Sequence, residues 1–203
     1  MQIIGKMKAI VIAIILSCLS CATVARKVSG VSRPGLESRQ SINAYLDRHE
    51  IDTSRVYVFK NLMAFAMASE QGFLSFPNAY FFNNQGQSVE YPKTAAHCNA
   101  QVGSFIRDLK GFSAWPAQDK KMAAFTRLLS PEISGTPISD ITVLITFTTY
   151  SGKLNKEKAF EWIQLLEKAK QDGISVDYYL VSADFMQTWN IPLSLQKKWG
   201  IKQ

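Results

Sequence analysis

Apolar positions along the chain change their period several times, and the longest ordered run lies late, over 141–181. Its first part, Ile141-Thr142-Val143-Leu144-Ile145-Thr146-Phe147, is β-branched and aromatic with almost no polar alternation, as in a strand covered on both faces. The stretch 174–181 is similar. Between them, 157–171 places Ala159, Trp162, Ile163, Leu166 and Ala169 at helical spacing, with Lys and Glu filling the other face. The pattern predicts a βαβ unit with a right-handed crossover. Its first connection is the turn Tyr150-Ser151-Gly152-Lys153-Leu154.

The earlier half alternates shorter signals. Ser41 is a predicted cap for a helix carrying Ile42, Tyr45, Leu46 and His49 on one face, with His49 expected half-buried at its end. A short strand follows at 55–59, then a helix at 62–69 that Gly72 ends. Methionines in that helix read as core filler rather than as a ligand site. Pro77 heads an aromatic strand, Asn84-Gln85-Gly86 supplies a turn, and a second alternating strand runs to Tyr91, which together predict a hairpin. A helix over 94–110, with Val102, Phe105, Ile106 and Leu109 on one face and Gly111 as its stop, would cover that hairpin. Asp119 is a predicted cap for a short helix presenting Met122, Phe125, Leu128 and Leu129. The stretch 130–140, with Pro131, Gly135 and Pro137, reads as a linker, and Pro192 should divide or kink a helix over 185–199.

At the amino terminus, Lys6 and Lys8 precede Ala9-Ile10-Val11-Ile12-Ala13-Ile14-Ile15-Leu16, short for a membrane span and suited to a signal-peptide core. Residues 1–20 are therefore set aside as a leader, and 21–40, small, polar and basic, as a tether. The remaining 41–203 is long enough for one well-filled α/β domain and short for two. The formal charge of +7 falls with the leader, because losing Lys6 and Lys8 from 23 basic residues leaves 21 against 16 acidic ones. So mild an excess, without a Lys/Arg block, gives no support to a nucleic-acid partner, though it favours transient contact with anionic lipid.

The sequence Ile15-Leu16-Ser17-Cys18-Leu19-Ser20-Cys21 resembles the lipobox of bacterial lipoproteins, in which a lipidated cysteine becomes the mature terminus. Cys18 and Cys21 compete for that role. Cys18 has the better flanks, with serine before it and an aliphatic residue three positions before. The resemblance implies a membrane partner through a lipid anchor. Lipoproteins of the Bacteroides group use an acidic run after the cysteine for surface display, and neither cysteine here has one. That implies an outer-membrane protein of the cell envelope facing the periplasm.

The stretch 143–184 resembles the opening half of thioredoxin-fold proteins, where a strand ending in Phe-Trp-Ala-x-Trp leads into Cys-x-x-Cys on a helix. With a one-residue gap, Tyr150 matches the tryptophan before the motif, Ser151 the first cysteine, Gly152 the glycine, Lys153 the proline and Leu154 the second cysteine. Both redox sulfurs are replaced. In the same family the closing hairpin begins with a cis-proline packed on the active-site turn, and Phe76-Pro77 with the following hairpin and helix resembles that part, displaced to an earlier place in the chain. The resemblance implies a three-layer α/β/α fold with a mixed central sheet. Either it is circularly permuted, with 41–112 as the closing half, 113–140 as connector and 141–203 as the opening half, or the closing half is a module of its own. The single permuted domain is preferred, since each half alone would leave a strand face uncovered.

Thiol–disulfide exchange needs an accessible thiolate and a resolving sulfur, which Ser151 and Leu154 cannot supply. A hydrolase built on Ser151 would need a base and an oxyanion site, and no triad pattern lies nearby. Cys98, after His97 at a predicted helix start, is the remaining candidate catalytic thiol. A lone cysteine is more often an inert buried side chain. The Ser151-Gly152-Lys153 turn has donors suited to an anion but lacks the glycine-rich loop of a phosphate-binding motif, and the default for such a turn is a solvated connection. No spacing supports a metal site or a dinucleotide cofactor. The sequence thus favours a redox-inactive binding or scaffolding module with a protein partner in the envelope, with a one-cysteine redox enzyme or sensor using Cys98 as the alternative.

Overall fold

The computed structural model describes residues 30–90, 101–133 and 139–202. Cys18, Cys21, His97 and Cys98 lie outside the described residues, as does most of the leader and tether. The strands are β1 (Leu36–Glu37), β2 (Val56–Phe59), β3 (Asn78–Asn83), β4 (Gln87–Val89), β5 (Ala117–Lys121), β6 (Leu129–Ser130), β7 (Ile141–Phe147), β8 (Val176–Ser182) and β9 (Phe185–Met186). The helices are α1 (Arg39–Asp47), α2 (Leu62–Glu70), α3 (Gln101–Arg107), α4 (Met122–Thr126), α5 (Glu161–Gln171) and α6 (Leu193–Lys198).

Seven strands form one mixed sheet in the order β5-β4-β3-β7-β8-β2-β6. β7, β8 and β2 run parallel, whereas β3 lies antiparallel to β7, pairing Asn78 with Thr146 through to Asn83 with Ile141. Strands of the earlier half therefore flank the βαβ unit on both sides. Every residue of β7 is buried, which is why its sequence shows no polar alternation. The pleat sends Val143, Ile145 and Phe147 to one face, against Ile42 and Leu46 of α1, Phe105 and Ile106 of α3, and Trp162, Ile163 and Leu166 of α5. Leu144 faces the other way, into a cluster with Phe59, Ala64, Ala68, Phe73, Phe125 and Leu129. Within it the Phe125 ring stacks on Phe73 at 4.6 Å between centroids. The sheet is thus covered on both faces, and no helix among the described residues is long and apolar enough to cross a membrane.

Several boundaries differ from the sequence expectation. The cap of α1 is Ser38, whose hydroxyl accepts from the Ser41 N–H while the Ser41 hydroxyl accepts from the Ser38 N–H; Ser41 is the reciprocal partner in this capping box. His49 is exposed beyond the helix, its ring 4.9 Å from Tyr45 and 5.2 Å from Phe160. Asp119 caps nothing: Ala117–Lys121 is an edge strand paired with β4, a polar segment made extended by its neighbour rather than by its own propensity. Leu129 belongs to β6, on the opposite edge beside β2. Gly111 does not stop a helix but sits within a 3₁₀ stretch, Leu109–Ala114. The crossover helix starts early, through a wide π turn at Asn155–Phe160 that leads into α5. Pro192 is the cap of α6, and 185–199 divides into β9, a 3₁₀ turn and that helix. The expected tether is fastened from Gly30 onward: β1 pairs in parallel with β9, and the Lys202 N–H donates to the Pro34 carbonyl at 2.8 Å. The Phe76–Pro77 and Ser130–Pro131 peptide bonds are cis.

Candidate functional site

At the carboxyl end of β7 the chain leaves the sheet through Thr148 into a 3₁₀ turn, Thr149–Ser151, and reaches Gly152 with φ of +52°. This is the carboxyl end of the parallel strands β7, β8 and β2, where ligands are commonly seated in α/β sheets. The turn is covered by the segment that begins at Gly30. The Ser32 N–H donates to the Tyr150 carbonyl at 2.9 Å, and a Cβ on Gly152 would stand 2.0 Å from the Gly30 carbonyl oxygen. Glycine is required there by both the backbone conformation and the approach of the second chain segment. Ser151 is 3% exposed, and its hydroxyl lies 2.5 Å from that of Thr148. The expected solvated turn is thus a covered one, with Lys153 alone of its five residues exposed.

The structure brings the Phe76–Pro77 step to this turn. The Phe76 ring meets Tyr150 edge-on at 5.9 Å, and the Thr146 hydroxyl donates to the carbonyls of Ser75 and Asn78, which bracket the step. Tyr150, Ser151, Gly152, Lys153 and Leu154 and Pro77 therefore form one neighbourhood.

Below the turn lies Asp184, 1% exposed, just past the end of β8. Its carboxylate accepts from the Ser182 hydroxyl at 2.7 Å, the Thr149 hydroxyl at 2.8 Å and the Thr149 N–H at 3.0 Å. Burial pushes its carboxyl up to about 6, and nearby Glu37 adds to the rise against the opposing hydrogen bonds. Burial, with the field of Asp184, likewise lifts the Tyr150 phenol to about 12. Glu37 is reached by the Ser41 hydroxyl at 2.6 Å and, at 3.4 Å, by the Thr149 hydroxyl, so Thr149 sits between two carboxylates with one proton to give. The buried Asn155 amide donates to the Thr148 carbonyl at 2.6 Å and to the Tyr45 hydroxyl at 2.8 Å, leaving the phenol proton of Tyr45 free to donate.

Above this network opens a cleft of about 390 Å³. Arg33 of the covering segment, Arg48 just past α1 and Lys202 near the carboxyl end reach it, together with Glu37, Tyr45 and Thr149. None of the three cations is in an ion pair with a described residue. Three cations without an ion pair among the described residues, against one already engaged carboxylate, make the cleft suited to an anionic group. The Ser151 hydroxyl has another hydroxyl as its partner rather than a base, so the turn holds no nucleophile–base pair. Among the described residues no three metal-ligating side chains come together.

Asp184, Glu37, Asn155 and the covering segment were not foreseen from sequence as parts of this neighbourhood. Asp184 alone left a trace, an acidic residue immediately after an apolar strand. Glu37 and Arg33 come from a stretch whose composition reads as linker, and their placement depends on pairing with β9. Comparisons with protein-family models, curated proteins and solved structures gave no match.

Proposed function

We propose that the chain is a redox-inactive binding or scaffolding module of the bacterial cell envelope, with a thioredoxin-like sheet in permuted order and a lipid anchor on Cys18 or Cys21. In that reading the hairpin β3–β4 and helix α3 form the closing half, placed before the βαβ unit instead of after it. The antiparallel pairing of β3 with β7, and the approach of Phe76 to Tyr150, support the permuted arrangement. The observation that carries the function is the covered turn: Gly30–Ser32 lies over it, where a substrate disulfide would have to approach, and in this reading Ser151 and Leu154 stand in for the two sulfurs. Attack on a disulfide requires an exposed thiolate, and the turn offers neither the sulfur nor the exposure.

Binding falls to the adjacent cleft, where Arg33, Arg48 and Lys202 suit an acidic segment of a protein partner. A photo-crosslinking residue at Ala44, which lines the cleft, should capture a partner in intact envelopes, and Arg33→Glu with Arg48→Glu should suppress the capture. Alkynyl fatty acid should label the chain, and Cys18→Ser with Cys21→Ser should abolish the label. Absence of both charge-sensitive crosslinks and label would overturn the proposal.

A further inference from the structure

The end of the molecule from which the amino-terminal segment departs carries an unpartnered aromatic and basic surface. α2 reads Leu-Met-Ala-Phe-Ala-Met-Ala-Ser-Glu, apolar on every side until its last two residues, yet only Ala64 and Ala68 are buried. Met63 stands 69% exposed. A surface helix normally places polar side chains on its outer face, and this one does not. Its Phe65 ring meets Phe185 and Trp189, each at 5.5 Å, and Phe185 in turn stacks on Trp199 at 5.4 Å with the planes 8° apart. Trp199 is 37% exposed and Leu193, on α6, 64%. Phe65, Trp189, Phe185 and Trp199 are therefore joined through one chain of ring contacts.

The charge on the carboxyl-terminal side of this surface has one sign. Residues 185–202 contain Lys197, Lys198 and Lys202 and no acidic residue. The same segment is bound to the stretch that leads to the cysteines, through the β1–β9 pairing and the Lys202–Pro34 hydrogen bond. From Gly30 back to Cys21 is nine residues and to Cys18 twelve, a reach of at most about 30 to 40 Å in extended chain. A lipid on either cysteine would thus hold this end of the domain close to the bilayer. Exposed tryptophan and leucine flanked by lysines are the groups that settle at an interface of anionic headgroups and acyl chains.

We propose that the surface formed by Phe65, Phe185 and Trp199, with Leu193, Lys197 and Lys198 of α6 beside it, docks on the anionic bilayer to which the chain is anchored. The domain then lies against the membrane instead of swinging on a free tether. This rests on the lipid-anchor reading, and the test separates the two. The lipidated full-length chain is reconstituted into vesicles of equal parts phosphatidylethanolamine and phosphatidylglycerol, the latter brominated in its acyl chains. Tryptophan emission should be quenched, and Trp199→Phe should remove most of the quenching with the fold intact by circular dichroism. Lys197→Gln and Lys198→Gln should each weaken docking about fivefold, the effect of one lysine at such a surface. Flotation of the chain with the vesicles while Trp199 stays unquenched would overturn the docking and leave the anchor standing. Crosslinks from Leu193 to a protein in place of quenching would overturn it as well. Failure of fatty-acid labelling with quenching retained would overturn the anchor and support the docking.

Discussion

Asp184 ties its surroundings to pH in an unusual direction for a carboxylate. The folded chain holds its proton up to about pH 6, against an ordinary value of 3.8, because burial outweighs the hydroxyl and amide donors around it. Between these values the folded state binds more protons than the unfolded chain, so stability falls as pH rises through the window, by up to ~3 kcal/mol. Asp184→Asn should flatten this dependence in chemical denaturation at pH 4, 5, 6 and 7; an unchanged slope would assign it to another group. Asp177, at the opposite end of β8, behaves in the reverse sense. Burial raises its carboxyl, but hydrogen bonds from Ser139, Arg55 and Lys170 outweigh that and hold it down to about 2, so its contribution is present above 3.8 and lost in stronger acid. The two windows do not overlap, which lets a titration distinguish them.

Among the elements, the covering segment 30–37 does most to define the site. It is held by the Ser32–Tyr150 hydrogen bond, the β1–β9 pairing and the Lys202–Pro34 bond, and Gly152 makes room for it. Gly152→Ala forces an L side chain into a glycine-only backbone region, about 1–3 kcal/mol of strain, and drives its Cβ into the Gly30 carbonyl. The expected result is release of the segment, read as lost hydrogen-exchange protection of peptides covering 30–37 while β7 and β8 keep theirs. Full protection in the variant would show that the segment is not held by this contact.

This element also marks the limit of legibility. The βαβ unit was readable because β7 is buried on both faces and α5 on one, so burial wrote itself into residue type over long runs. The hairpin was readable from Asn84-Gln85-Gly86, with Gly86 at φ of +70°. By contrast β1 and β5 have two and five residues with polar or mixed side chains, and become strands only because β9 and β4 lie beside them. Such pairing leaves no local signature. The five residues of the turn were singled out from sequence, but the segment that covers them, Asp184 beneath them and Glu37 beside them follow from where distant segments meet.

At the scale of the whole molecule, one mixed sheet carries two kinds of surface at the end where the amino-terminal segment departs. One is a cleft lined by Arg33, Arg48 and Lys202, and the other the aromatic surface around Phe185 and Trp199. Between the core and the covering segment lies the turn that holds Tyr150, Ser151 and Gly152. In the proposed function this neighbourhood binds a partner and does not exchange disulfides. The most direct measurement is dithiol-dependent reduction of insulin by the full-length chain, with Cys98→Ser in parallel. Both proteins should show a rate equal to that of dithiol alone. Turnover above that background by the purified chain, whether or not Cys98 is present, would contradict it.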